Sequence, residues 1–182
     1  MKTKVIGLYG GSGLGKSTAA ALVFGMMKQR GYECELVREF AKELAWEGKA
    51  ITADDQIFIL GKQIQAEKLL YGKVDYIITD APLLLCGFYT EHYNKHTHMT
   101  EGIKLLMDRN KDNVEYINFF LNRTKKFNPK GRYETEEQAV AIDGYLKEYL
   151  NKNNVEYKML NSENSNHHLD ILEYIESNYG RS

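Results

Sequence analysis

Gly10-Gly11-Ser12-Gly13-Leu14-Gly15-Lys16-Ser17 is the stretch on which the fold turns. It matches G-x-x-x-x-G-K-[ST] at every defined position, the pattern of a loop that wraps a polyphosphate. An apolar run, Lys4 to Tyr9, precedes it as a strand, and Thr18 to Arg30 follows it as a helix. In that setting the glycines let backbone N–H groups converge on phosphate oxygens, and the helix N-terminus adds the positive end of its dipole. Gly10, Gly11, Ser12, Gly13, Leu14, Gly15, Lys16, Ser17 and Thr18 are therefore the candidate nucleotide-binding residues. Lys16 is placed to reach the β- and γ-phosphates, and the Ser17 hydroxyl to ligate Mg²⁺.

Outward from the loop, strand and helix signals alternate, which predicts a parallel sheet with helices on both faces. Gly31 closes the first helix. Glu33 to Val37 reads as a second strand that delivers Arg38 and Glu39 at its carboxyl end. Phe40 to Gly48 reads as a helix, and Thr52 caps another from Ala53 to Tyr71. Asp75 to Thr79 is the third strand, ending at Asp80, and an apolar helix starts after Pro82. Glu91 to Thr100 is polar and reads as irregular, followed by a helix from Glu101 to Asp108 and a strand from Val114 to Leu121. Thr135 and Gln138 form a capping-box pair opening a helix to about Asn153. Val155 to Leu160 is the fifth strand, and His167 to about Asn178 the last helix. The expected class is α/β: a three-layer P-loop fold with a five-stranded, mainly parallel sheet. Residues 1–182 are expected to form a single domain, with a kinase-like lid at about 122–134. In such sheets ligands sit at the carboxyl ends of the strands.

Composition narrows the setting. The chain of 182 residues is 43% hydrophobic and 27% charged, with a formal net charge of −1. Nothing global attracts nucleic acid or an acidic membrane. Its two cysteines, Cys34 and Cys86, lie in apolar runs and read as buried thiols. No apolar stretch reaches 18 residues, and the charged start runs into a strand, so the expected location is the cytoplasm, with no membrane partner.

Further polar residues fall at the strand ends. Tyr76-Ile77-Ile78-Thr79-Asp80 is an apolar strand ending in an aspartate that would hold Mg²⁺ or orient an attacking hydroxyl. Ala81 follows it, where hydrolysing ATPases usually carry a water-activating glutamate. The guanine-reading N-K-x-D is absent: Asn94-Lys95-His96-Thr97 and Asn110-Lys111-Asp112-Asn113 fail its spacing. Both absences favour transfer to an acceptor over mechanical hydrolysis or a switch. Glu39 is a candidate base and Arg38 a candidate cation for a substrate. Arg123, Lys125, Lys126, Lys130 and Arg132 surround Pro129 and Gly131 in a basic loop suited to closing over a γ-phosphate. Arg123 and Arg132 are its candidate catalytic members, because guanidinium forks suit phosphate oxygens. Gln56 and Gln63 share one helix face, and Gln63 is a candidate substrate contact. His92, His96 and His98 read as surface or a substrate-covering loop rather than a metal site. Trp46, Phe88 and Tyr89 read first as core and second as base-stacking residues.

The motifs G-G-S-G-L-G-K-S, V-R-E-F-A-K-E-L (Val37 to Leu44), Asp54-Asp55-Gln56 with Gln63, I-I-T-D-A-P (Ile77 to Pro82) and N-P-K-G-R-Y-E-T-E-E (Asn128 to Glu137) resemble a group of P-loop kinases. The chain is similar to the ribosylnicotinamide kinase domain of bifunctional NAD-salvage proteins and to related AAA-type kinases of bacteriophages. The resemblance implies ATP as donor with Mg²⁺, a nucleoside or nucleotide as acceptor, and a lid around Arg123 and Arg132. Lys16, Glu39, Asp80, Arg123 and Arg132 are then the expected catalytic set. No counterpart of the salvage proteins' adenylyltransferase domain is expected within these 182 residues. Three functions follow as alternatives: a kinase of a nucleoside, nucleotide or nicotinamide riboside; a phage-type kinase of a hydroxymethylated base such as 5-hydroxymethyluracil in DNA; and an ATP-binding regulatory or assembly ATPase without an acceptor.

Overall fold

The seven residues of Thr3–Tyr9 (β1) are almost wholly buried, as a strand covered on both faces must be. The computed structural model describes residues 2–49, 51–52, 55–94, 98–123, 135–160 and 166–180. Within it, β1 pairs in parallel with Tyr76–Thr79 (β3) on one side and Val114–Leu121 (β4) on the other. Cys34–Val37 (β2) and Lys158–Leu160 (β5) complete the sheet in the order β2-β3-β1-β4-β5, every pairing parallel.

Alternating side chains of these strands feed three apolar clusters, the smallest formed by Val5, Val37, Ile77 and Val114. Ile6, Leu8, Ile78 and Phe119 pack against Lys16–Gln29 (α1) and His167–Tyr179 (α7) through Val23, Met27, Ile171 and Ile175. Tyr9 and Phe120 face the opposite layer, built from Leu83–Asn94 (α4), His98–Arg109 (α5) and Glu136–Lys152 (α6). The expected three-layer α/β fold is present. The chain leaves β1 toward α1 on one face and β3 toward α4 on the other. That divergence opens a crevice at their carboxyl ends, and the phosphate loop lies there.

Local signals set several boundaries. At the end of α1, Gly31 takes φ 78°, and Tyr32 N–H donates to the Met27 carbonyl at 3.0 Å, a Schellman closure. At α6 the expected capping box forms: Thr135 Oγ1 accepts the Gln138 N–H, and Gln138 Oε1 accepts the Thr135 N–H at 2.8 Å.

Other boundaries differ from expectation. The stretch from Glu91 to Thr100 is mostly helical, in α4 and α5, rather than irregular. Its polar appearance hides aromatic stacking one turn apart: Phe88 stacks on His92 at 5.5 Å, and Tyr89 on Tyr93 at 6.1 Å. Thr100 is buried and donates to Glu91 Oε1 at 2.6 Å, joining the two helices. The fifth strand is only Lys158–Leu160, because it meets just the last three residues of β4. The helix read from Phe40 to Gly48 shortens to Ala41–Trp46 (α2). The one read from Ala53 to Tyr71 is described over Asp55–Lys68 (α3) and ends three residues early, with Leu70 N–H tightening onto the Glu67 carbonyl. Residues 53–54 lie outside the described set. Trp46 is 88% exposed, so it is not core; Phe88 is buried. Cys34 and Cys86 are buried free thiols, as expected. Among the described residues no helix is long and apolar enough to cross a membrane.

Candidate active site

The phosphate loop joins β1 to α1 through backbone that only glycine adopts readily: Gly10, Gly13 and Gly15 have φ of 136°, 85° and 85°. At Gly10 a Cβ would also come within 2.5 Å of Leu14 Cδ1. Helix α1 begins at Lys16 with no side-chain cap and no acidic residue in its first turn. Its amino end therefore carries positive potential with no competing carboxylate of its own. Lys16 Nζ folds back over the loop, donating to the Gly10 and Gly11 carbonyls at 2.6 and 3.0 Å. Burial lowers the Lys16 pKa, and the charges of Glu39 and Asp80 offset part of that fall.

Outside the loop stands a pair that sequence reasoning missed in part. Asp143 on α6 accepts the Gly11 N–H at 2.6 Å and Arg123 Nε at 2.9 Å. Arg123 Nη2 in turn donates to the Ser12 carbonyl at 3.1 Å and the Ala139 carbonyl at 3.3 Å. Arg123 thus braces the loop from its outer side. Asp143 had a signal: it lies between Ala139 and Leu146 on the core-facing stripe of α6, where a carboxylate needs a partner. Lys125, Lys126, Lys130 and Arg132 lie outside the described residues.

The second half of the site comes from β2 and β3. Asp80 leaves β3 almost fully buried; its Oδ1 accepts the Glu39 N–H at 3.0 Å. Its Oδ2 lies 3.1 Å from Lys42 Nζ. Burial alone would raise the Asp80 pKa. The Ser17 hydroxyl, Lys42 and the Glu39 N–H outweigh it and hold the carboxyl below its ordinary value, so Asp80 is anionic. Lys42, on α2, also bonds Ser17 Oγ and lies 3.6 Å from Glu39 Oε2. Sequence reasoning did not single out Lys42. Its spacing from Glu39 was visible, but its bonds to Ser17 and Asp80 cross 25 and 38 residues.

Behind Asp80, Gln63 is buried on α3 and donates to Thr79 Oγ1 at 3.3 Å, which also accepts the Ala81 N–H at 3.1 Å. Gln63 thereby fixes the turn that aims Asp80. Arg38 is exposed at the end of β2, and Gln56 is half-buried on α3. The histidines do not gather: His92 stacks on Phe88, His98 is exposed beside Glu101, and His96 lies outside the described residues. Among the described residues no group of three or more His, Cys, Asp or Glu is placed to hold a metal ion. A phosphate-bound Mg²⁺ needs only one or two protein oxygens. Ser17 Oγ and Asp80 Oδ2 could supply them, since both converge on one cation, the Lys42 ammonium.

This combination of sheet order, phosphate loop and strand-end carboxylates is the fold of the P-loop kinases. The model of the AAA domain family matches residues 5–167, and the chain belongs to that family. No curated protein matches it in sequence. In structure it is similar to the NadR protein in complex with NR, with TM-score 0.72 and 15% identity, over 99% of this chain and 52% of that one. The NadR protein in complex with NAD and AMP-PNP gives 0.70 and 14%, over 99% and 50%. The chain thus spans about half the length of these NadR chains. The thymidylate kinase of Ehrlichia chaffeensis gives 0.66 and 13%, over 96% of this chain and 100% of that one.

Proposed function

We propose that this chain transfers the γ-phosphoryl group of ATP to a hydroxyl or phosphate of a small acceptor: a nucleoside, a nucleotide or nicotinamide riboside. The observation that carries the reading is the convergence of Ser17, Asp80 and Glu39 on one cation beside the phosphate loop. Structural likeness to NadR bound to NR and to a thymidylate kinase supports an acceptor of this class. Ala81 after Asp80 counts against a hydrolysing ATPase.

Each residue has a role in this scheme. Backbone N–H groups from Gly13 to Thr18 and the end of α1 hold the phosphates, with Lys16 as their cation. Ser17 and Asp80 would hold Mg²⁺, which neutralises charge on the β- and γ-phosphate oxygens. Both Asp80 oxygens are engaged and the group is held anionic, whereas Glu39 is half-buried, with Lys42 at 3.6 Å and the Lys16 charge in its field. Glu39 is therefore the better base for an acceptor hydroxyl. The acceptor oxygen bonds to the γ-phosphorus as the bond to the β,γ-bridging oxygen breaks, ADP leaves, and the hydroxyl proton goes to Glu39. Arg38 would hold the acceptor, Gln63 sets the position of Asp80, Arg123 braces the phosphate loop rather than moving with a lid, and the rest of the basic segment at about 122–134, with Arg132, would act as the lid.

Incubation with γ-labelled ATP and a panel of nucleosides, nucleoside monophosphates, nicotinamide riboside and hydroxymethylated DNA tests this. Label on a small acceptor is the expected result. Label on DNA alone, or ATP consumption with label only in free phosphate, would overturn it.

A further inference from the structure

Lys42 stands where the kinase reading needs a metal. Its ammonium bonds Ser17 Oγ, lies 3.1 Å from Asp80 Oδ2 and comes within 3.6 Å of Glu39 Oε2. The ammonium thereby donates to the Ser17 and Asp80 oxygens and sets its charge beside Glu39 without any ion. A second cation, Lys16, shares the field of the same two carboxylates. The Ser17 and Asp80 oxygens cannot hold both an ammonium and a divalent ion at one point, because like charges at that separation repel strongly inside a protein. The Lys42 stem is long, about a third exposed, and rooted in a helix of only six residues, so it has room to swing away.

We propose that Lys42 is a tethered cation that holds the metal ligands in place and competes with the divalent ion for them, leaving Ser17 and Asp80 when the ion binds. The proposal rests on the kinase reading of this site. It makes the chain's affinity for the ion a property of α2 as well as of the phosphate loop. Occupancy of the position by Lys42 reduces the apparent affinity by the fraction of molecules in which it is free.

The test is Mn²⁺ binding to the full chain, with free Mn²⁺ counted by electron paramagnetic resonance, in the presence of a saturating non-hydrolysable ATP analogue. Lys42→Met should bind Mn²⁺ about tenfold more tightly than wild type, the gain expected if Lys42 fills the position in roughly nine molecules of ten. Lys42→Arg, which keeps the charge, should stay near wild type. Ser17→Ala and Asp80→Asn should both weaken binding. If they do and Lys42→Met is unchanged or weaker, the competition is refuted while the kinase reading stands. An equal gain in Lys42→Arg also refutes it, because charge is then not the cause. If Ser17→Ala and Asp80→Asn bind Mn²⁺ like wild type, the metal position itself is wrong and both readings fall.

Discussion

The donor and acceptor sides of the crevice are built by different means. The donor side is local. Gly10, Gly13 and Gly15 set its shape through positive φ, and Lys16 bonds carbonyls five and six residues away. The acceptor side is assembled from afar: Asp80 meets the Glu39 N–H across 41 residues and Lys42 across 38. Backbone geometry holds the first, and charge holds the second. Substitutions on the two sides should therefore fail differently.

The largest effect is expected on the donor side. Lys16→Ala removes the cation of the phosphate loop, and turnover in a transfer assay should fall by about a thousandfold. Wild-type turnover in this variant would remove the loop from the chemistry. Asp80→Asn breaks the junction between the two sides. Turnover should drop about a hundredfold while ATP affinity changes only slightly, the signature of a contact made in the transition state. Equal losses in both quantities would assign Asp80 to binding instead.

Asp143→Ala tests whether the donor side owes its shape to the loop alone. The Arg123–Asp143 pair is only about 15% exposed, and removing one partner leaves a guanidinium without its counter-charge. A loss of about 3 kcal/mol in denaturant unfolding is expected. A stability equal to wild type would show that the loop needs no brace.

How much of this was legible in the sequence follows the same division. The phosphate loop, the capping box of α6 and the closure at Gly31 depend on residues within a few positions of each other, so a short pattern reveals them. The parallel direction of the strands followed from alternation of strand and helix, whereas their order in the sheet did not. The helices between Glu91 and Thr100 did not, because the stacking of His92 on Phe88 and Tyr93 on Tyr89, one turn apart, shows only in the folded chain. Lys42 reads as an ordinary surface lysine until β2 and β3 lie side by side. Arg123 was singled out for its charge, yet only the fold shows that Asp143 and Ser12 engage it.

The smallest effect lies away from both sides. Glu67 is fully buried beside Tyr71, with Oε1 lacking a hydrogen-bond partner among the described residues. Burial pushes its carboxyl up to about 8, against a weaker opposing effect of the Tyr71 hydroxyl. A carboxyl raised on folding favours the folded state most below its unfolded value, and that advantage is lost as pH rises toward 8. Glutamine has no proton to lose. Glu67→Gln should therefore gain melting temperature steadily relative to wild type as pH rises from 5 to 8. A difference that does not change with pH would mean that Glu67 is charged throughout.

The separation of donor and acceptor sides is tested most directly by Glu39→Gln, measured for both ATP affinity and single-turnover phosphoryl transfer. ATP should bind within about twofold of wild type, while transfer slows by about a hundredfold or more, the loss expected on removing a general base. Unchanged transfer, or a parallel collapse of ATP binding, would contradict the assignment of Glu39 to the acceptor side.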